Sequence, residues 1–263
     1  MKAPRQKPKA GLGLYALPTP VNTAVRSKRI LMGTPTLGQI RMEWHNALAG
    51  MIVPCNWSMA SITPLGFLVA DGQNLCVYEA IKQGFEWLFL LEDDVIPPPD
   101  FALRLADYLN SGDTPIVSGL YHLRGSNPRE PLMYRGRGNG AFTGWKPGEK
   151  VWCDGVPTGA LLVHLSIFKE LAKIRPEYAI VSGGQTVKMP QYFETPRESF
   201  IDAQSGAYMK LVGTSDLYFC DMVMNHQILQ KAGWGKIGRR KYPFLVDTRI
   251  ACGHIDRETG AVW

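Results

Sequence analysis

The stretch Trp87-Leu88-Phe89-Leu90-Leu91-Glu92-Asp93-Asp94 decides the fold class. Five consecutive apolar residues, too short a run for an ordinary helix and without polar alternation, read as a strand buried on both faces of a sheet. The run ends directly in three carboxylates. Pro97-Pro98-Pro99-Asp100 closes it and opens a helix over residues 100–109, with Asp100 as the expected N-cap.

The neighbouring segments repeat that alternation. Residues 29–33 form a short apolar run stopping at Gly33-Thr34-Pro35, as a strand entering a loop would, and residues 40–51 read as a helix. A second strand candidate within 58–68 is interrupted by Pro64, and 75–83 has helical spacing ending at Gly84. Further strands are expected at 116–121, 160–163 and 242–252. Helices are expected at 166–174, capped by Ser166, and at 216–232, stopping at Gly233. Residues 124–150, rich in Gly, Arg and Pro, predict a loop or small hairpin, and 175–213, containing Ser182-Gly183-Gly184, predict an irregular, mobile segment. Strands alternating with helices imply an α/β fold whose mixed, mainly parallel sheet is flanked by helices. Such sheets bind ligands beyond the carboxyl ends of their strands.

Length and composition agree. A chain of 263 residues, 45% hydrophobic and 20% charged, can bury a core without staples, which excludes a disulfide scaffold, a fibrous repeat and wholesale disorder. The net charge of +6 is concentrated at one end. Seven of the 29 basic residues lie within the first 29 positions without an acid, leaving 22 against 23 acidic residues elsewhere. Residues 1–27 therefore read as a basic, proline-containing arm, and 28–263 as a single catalytic domain. No stretch reaches the ~20 apolar residues of a membrane span and the arm lacks the apolar core of a secretory signal, so a cytoplasmic protein is expected. The five scattered cysteines form no C-x-x-C pair and suggest reduced, mostly buried thiols.

Carboxylates crowded at a strand end raise one another's pKa unless a cation neutralises them, and a divalent metal is the usual answer. The plainer alternative is acids that merely end a strand and begin a helix. Here residues 90–98 resemble the D-x-D region of glycosyltransferases with the GT-A fold, particularly inverting family 2. Four further segments agree in order. Thr34-Pro35 resembles the donor-nucleotide loop, and Asp71-Gly72-Gln73-Asn74 the stretch that follows the second strand. Residues 156–163 resemble the acceptor-side segment, and residues 215–220 are similar to the helix that carries the base. Residues 246–254 resemble the closing strand whose histidine completes the metal site.

The resemblance implies a GT-A fold and transfer of a sugar from a nucleoside diphosphate sugar, UDP-linked for preference, to an acceptor hydroxyl with inversion. It implies Asp94, His254 and Glu92 as ligands of Mn²⁺ or Mg²⁺, with imidazole favouring Mn²⁺. Thr34, Pro35, Asp71, Asn74, Glu92 and Asp93 would face the donor. Asp216 would be the catalytic base, its rival reading being a helix cap. Tyr121, Trp152 and Gly159 would face the acceptor, against a reading of the aromatics as core. The acceptor stays open between a saccharide, a lipid-linked glycan and a hydroxylated base in DNA. The last is suggested by the arm, the 124–137 loop and the cluster Lys236, Arg239, Arg240 and Lys241. A nucleotidyltransferase and a non-catalytic nucleic-acid-binding protein are the rival classes, the former lacking a glycine-rich basic loop after the first strand. Oligomeric state and the stereochemical course are not legible.

Overall fold

The computed structural model describes residues 29–263 apart from 56, 137, 138, 202 and 207, so the expected basic arm lies outside the described residues. The elements run β1 (Arg29–Gly33), α1 (Met42–Ala49), β2 (Ser58–Ile62), α2 (Val69–Lys82), β3 (Trp87–Leu91), β4 (Val95–Ile96), α3 (Phe101–Ser111) and β5 (Ile116–Leu120). After a long connection come β6 (Lys150–Cys153), β7 (Ala160–His164), α4 (Leu165–Leu171), β8 (Glu177–Ser182), β9 (Gln185–Pro190), β10 (Arg197–Ile201) and β11 (Tyr208–Val212). The chain closes with α5 (Ser215–Asn225), α6 (Ile228–Lys231), α7 (Gly235–Gly238), β12 (Phe244–Ala251) and β13 (Gly253–His254).

A seven-stranded sheet in the order β2-β1-β3-β7-β5-β12-β6 is the frame. The pairs β1–β2, β1–β3 and β5–β12 are parallel, while β7 and β6 run against their neighbours, so the sheet is mixed and mainly parallel. β3 is fully buried, and its residues alternate between two cores. Leu88 and Leu90 join Leu161, Val163 and the ring group Phe168, Phe193 and Phe219 on one face; Trp87, Phe89 and Leu91 meet Trp44, Phe101 and Tyr108 on the other. Helices cover both faces, which is why this strand carries no polar alternation.

Several boundaries differ from expectation. α2 begins at Val69, because its first turns bury Gly72, Gln73 and Asn74 and so hide the helix from an apolar count. Asp100 sits at the N-cap of α3 but its carboxylate turns to Arg104 instead of capping. At α4 the cap is His164, whose Nδ1 accepts from the Ser166 backbone, not Ser166 itself. The helix expected over 216–232 breaks at Gln227, which adopts φ 53°. The segment 175–213, expected to be irregular, contains the hairpins β8–β9 and β10–β11. Gly183 and Gly184, both at positive φ, make the two-residue turn of the first. Lys150–Cys153 was read as loop, yet it pairs antiparallel to β12 as the sheet edge. No helix among the described residues is long and apolar enough to cross a membrane.

Candidate active site

The acids lie where β3 leaves the sheet. After Leu91 the chain turns through Glu92-Asp93-Asp94 into β4, which pairs antiparallel with β13 so that Val95 stands opposite His254. The Ile255 N–H donates to the Asp94 carbonyl at 2.8 Å, fastening the acidic turn to the end of β12–β13. Two distant parts of the chain thus meet through backbone pairing, and their side chains follow.

Asp94 is 5% exposed. Its Oδ2 faces His254 Nε2 at 3.9 Å, Arg124 at 3.2 Å and Arg257 at 3.4 Å, while its Oδ1 is buried with no hydrogen-bond partner. His254 lies 2.7 Å through Nδ1 from the His122 carbonyl; a carbonyl only accepts, so Nδ1 carries the proton and the Nε2 lone pair points towards Asp94. Burial holds this imidazole below its ordinary pKa, and the neutral form is the one that ligates metals.

The other two acids have different surroundings. Asp93, 1% exposed, accepts from Thr36 on one oxygen and from Arg257 on the other. Glu92 Oε1 accepts from Thr158 at 3.0 Å and from Gln73 at 3.3 Å. Burial, reinforced by the charges of Asp94 and Asp216, pushes its carboxyl up to about 8. Among the described residues no three His, Cys, Asp or Glu side chains converge on one point. The expected ligand triad is therefore corrected to a pair, Asp94 and His254, with Glu92 drawn aside by Thr158 and Gln73. The orphaned Oδ1 and the aligned Nε2 fit a divalent cation whose remaining ligands come from substrate or water.

Asp216 lies in the first turn of α5, whose N-cap position is Thr214, so Asp216 is not the cap. Its Oδ1 accepts from the Leu217 N–H at 2.8 Å, and burial raises its pKa above the ordinary carboxylate range. Its charge acts on Glu92, Tyr121 and Tyr134, which places it facing the same space as the acidic turn.

A cleft of about 250 Å³ opens beside Glu92 and Arg257, walled by Pro35, Thr36, Phe67 and Leu68. Pro35 thus lines it, but Thr34 is buried with its N–H on the Ile62 carbonyl, a correction to its expected donor role. Asn74 is also corrected. Its amide accepts from the Tyr192 and Phe193 N–H groups at 3.0 and 2.8 Å and donates to the Phe193 carbonyl at 2.9 Å, so it clamps backbone instead of facing a ligand. Asp71 is held by the Tyr178 hydroxyl at 2.8 Å. Asp93, closed off by Thr36 and Arg257, anchors the turn.

The acceptor expectations change most. Tyr121 is buried, its hydroxyl accepting from the Gly159 N–H at 2.8 Å and its ring set edge-on to His254. Gly159 is a close-packing position: a Cβ there would stand 2.4 Å from the Tyr121 hydroxyl. Trp152 pairs with Leu245 near the start of β12, away from the acidic end, and Arg240 covers its ring at 3.9 Å. These three residues shape or lie apart from the site. The residues that sequence reading missed are Arg257, Thr36, Gln73 and Thr158, with Arg124 noticed only as part of a basic loop. The available signal was the charge imbalance of the acidic turn, which demanded a cation that the chain itself supplies.

No protein-family model and no curated protein sequence matches the chain. Among solved structures, A197 from STIV matches at 14% identity over 88% of this chain and 87% of that one, with TM-score 0.49. TarS 1–349 of S. aureus in complex with UDP-GlcNAc matches at 11% identity over 57% of this chain and 48% of its own, with TM-score 0.35. UTP-bound UGPase from Acinetobacter baumannii matches at 10% identity over 78% and 94% of the two chains, with TM-score 0.35. At these values the likeness assigns no chemistry to this chain.

Proposed function

We propose that this chain is a metal-dependent glycosyltransferase of GT-A type, moving a sugar from a nucleoside diphosphate sugar to an acceptor hydroxyl with inversion. The observation that carries the reading is the meeting of Asp94, with its orphaned Oδ1, the His254 Nε2 lone pair and two guanidinium groups at one strand end, across from a desolvated Asp216.

Asp94 and His254 would hold Mn²⁺ or Mg²⁺, which when bound supplies positive charge to the departing diphosphate. Arg124 and Arg257 add charge of the same sign beside it. Glu92, largely protonated at neutral pH, offers a hydrogen bond to a donor hydroxyl at the cleft mouth. In the transfer, the acceptor oxygen bonds to the anomeric carbon as the bond from that carbon to the diphosphate oxygen breaks. The acceptor proton passes to Asp216, whose raised pKa suits a general base near neutral pH.

The test is release of nucleoside diphosphate from a panel of UDP-, GDP- and dTDP-sugars with Mn²⁺ or with EDTA. Metal-dependent release from one donor, abolished by Asp94→Asn and by Asp216→Asn in folded protein, is the expected result. Full activity in either variant removes that residue's role, and release of pyrophosphate instead of nucleoside diphosphate identifies a nucleotidyltransferase. A nucleic-acid acceptor is the weaker reading, because Arg124 faces Asp94, and Arg135 donates to the Trp152 carbonyl while stacking on Phe142.

A further inference from the structure

A second cavity, of about 360 Å³, lies against α5 and has no part in the donor cleft. Its walls include Tyr134, Asn139, Asp154, Gly155, Leu217 and Asp221. Leu217 adjoins Asp216 in sequence, and Asp216 acts electrostatically on Tyr134, so the cavity opens beside the proposed base. Asp154 is oriented from outside, both its oxygens accepting from the Gly136 N–H at 2.8 and 3.0 Å.

We propose that this cavity is the acceptor subsite and that it takes an uncharged polyhydroxylated ligand, a saccharide, in place of a phosphate-bearing one. Its place as an acceptor subsite rests on the transferase reading; the class of ligand is read from the lining alone. Carboxylate oxygens accept short, charge-assisted bonds from hydroxyls, and an amide both donates and accepts. An aromatic ring and an aliphatic side chain meet the apolar C–H faces of a sugar ring. The same carboxylates repel a phosphate in a partly desolvated space. Among the described residues no Lys or Arg lines the cavity, and the nearby Arg135 is turned onto the Phe142 ring at 3.9 Å and the Trp152 carbonyl at 2.7 Å. The volume falls at the lower end of the ~300–1,000 Å³ usual for ligand pockets, room for a small glycoside.

Saturation-transfer difference NMR on the full chain, without donor, tests this with methyl glucoside, methyl galactoside, methyl mannoside and cellobiose. At least one is expected to bind, with its dissociation constant raised roughly tenfold or more by Leu217→Trp, which fills the cavity from a half-open position, and by the isosteric Asp221→Asn. Unchanged thermal unfolding shows that the first variant is folded, and the second carries the test if it is not. The proposal is overturned if no saccharide binds, if binding is indifferent to both substitutions, or if a hydroxymethylated DNA duplex binds and the substitutions weaken it. A thermal shift with UDP-sugars on the unsubstituted protein separates the two readings. Saccharide binding without any donor response would sink the transferase and keep the cavity.

Discussion

His254 places Nδ1 2.7 Å from the His122 carbonyl, which leaves Nε2 as a lone pair 3.9 Å from Asp94 Oδ2. If this pair holds the cation, removing either member must weaken it. Asp94→Asn and His254→Ala should each lower Mn²⁺ affinity by at least the roughly 10–100-fold seen when metal-site partners are disturbed, measured by Mn²⁺ electron paramagnetic resonance. Unaltered affinity in both would place the metal elsewhere. Glu92 makes a different prediction. Its folded pKa of about 8 lies above the model value of 4.5, so the folded state holds this proton more tightly than the unfolded chain. The associated stability is complete at acid pH and is lost as pH rises towards 8. In metal-free buffer the melting temperature should fall between pH 5 and pH 8, and Glu92→Gln should flatten that fall. Screening by nearby solvent limits the effect to the order of 1 kcal/mol, about 2–4 °C. Identical profiles for the two proteins would show that Glu92 titrates normally.

At the scale of elements, the sheet is tied to α3 through one buried charge. Asp247 on β12 accepts from the Tyr108 hydroxyl of α3 at 2.6 Å and from Arg249 at 2.6 Å. Burial alone would raise its pKa, but the bonds from Arg249 and Tyr108 outweigh burial and hold the carboxyl below its usual range. Tyr108→Phe removes one donor and leaves the carboxylate otherwise enclosed, which should cost about 1–3 kcal/mol in chemical denaturation. A midpoint unchanged from the parent protein would mean that Arg249 suffices. This network also shows where sequence reading stops. β1, β3, β5 and β12 announce themselves by unbroken apolar runs, because a strand covered on both faces has no polar position to confuse the pattern. α2 concealed its start because Gln73 and Asn74 point inward and satisfy partners more than eighty residues away. The antiparallel course of β7 left no trace, since a strand covered on both faces looks the same in either direction. Asp94, His254 and Asp216 were legible as residue types at strand and helix ends. Arg257 was not, because its contact with Asp93 depends on a hairpin closure 164 residues away in sequence.

That closure is a property of the whole molecule. The segment after β13 folds back through antiparallel bonds between His254 and Trp263, at 3.0 and 3.1 Å, and its turn carries Arg257 onto Asp93 and Asp94. The strand end therefore holds a small ionic network with the donor cleft on one side and α5 on the other. Such a network binds a metal and a diphosphate as linked events: the protein offers two ligands, and the diphosphate both completes the coordination and meets the guanidinium charge. Mn²⁺ alone and UDP alone should each raise the melting temperature slightly, whereas both together should exceed the sum of the separate shifts. At a hundredfold excess over the dissociation constant the joint gain is about 2.7 kcal/mol, or roughly 5–10 °C for a chain of this size. Arg257→Gln should reduce the UDP contribution and leave most of the Mn²⁺ contribution, since it removes charge aimed at phosphate and keeps both metal ligands. Strictly additive shifts in the parent protein would mean that metal and nucleotide occupy separate sites. A Mn²⁺ response lost together with Arg257 would instead show that the arginine holds Asp94 in place, and that its guanidinium serves the carboxylates and not the diphosphate.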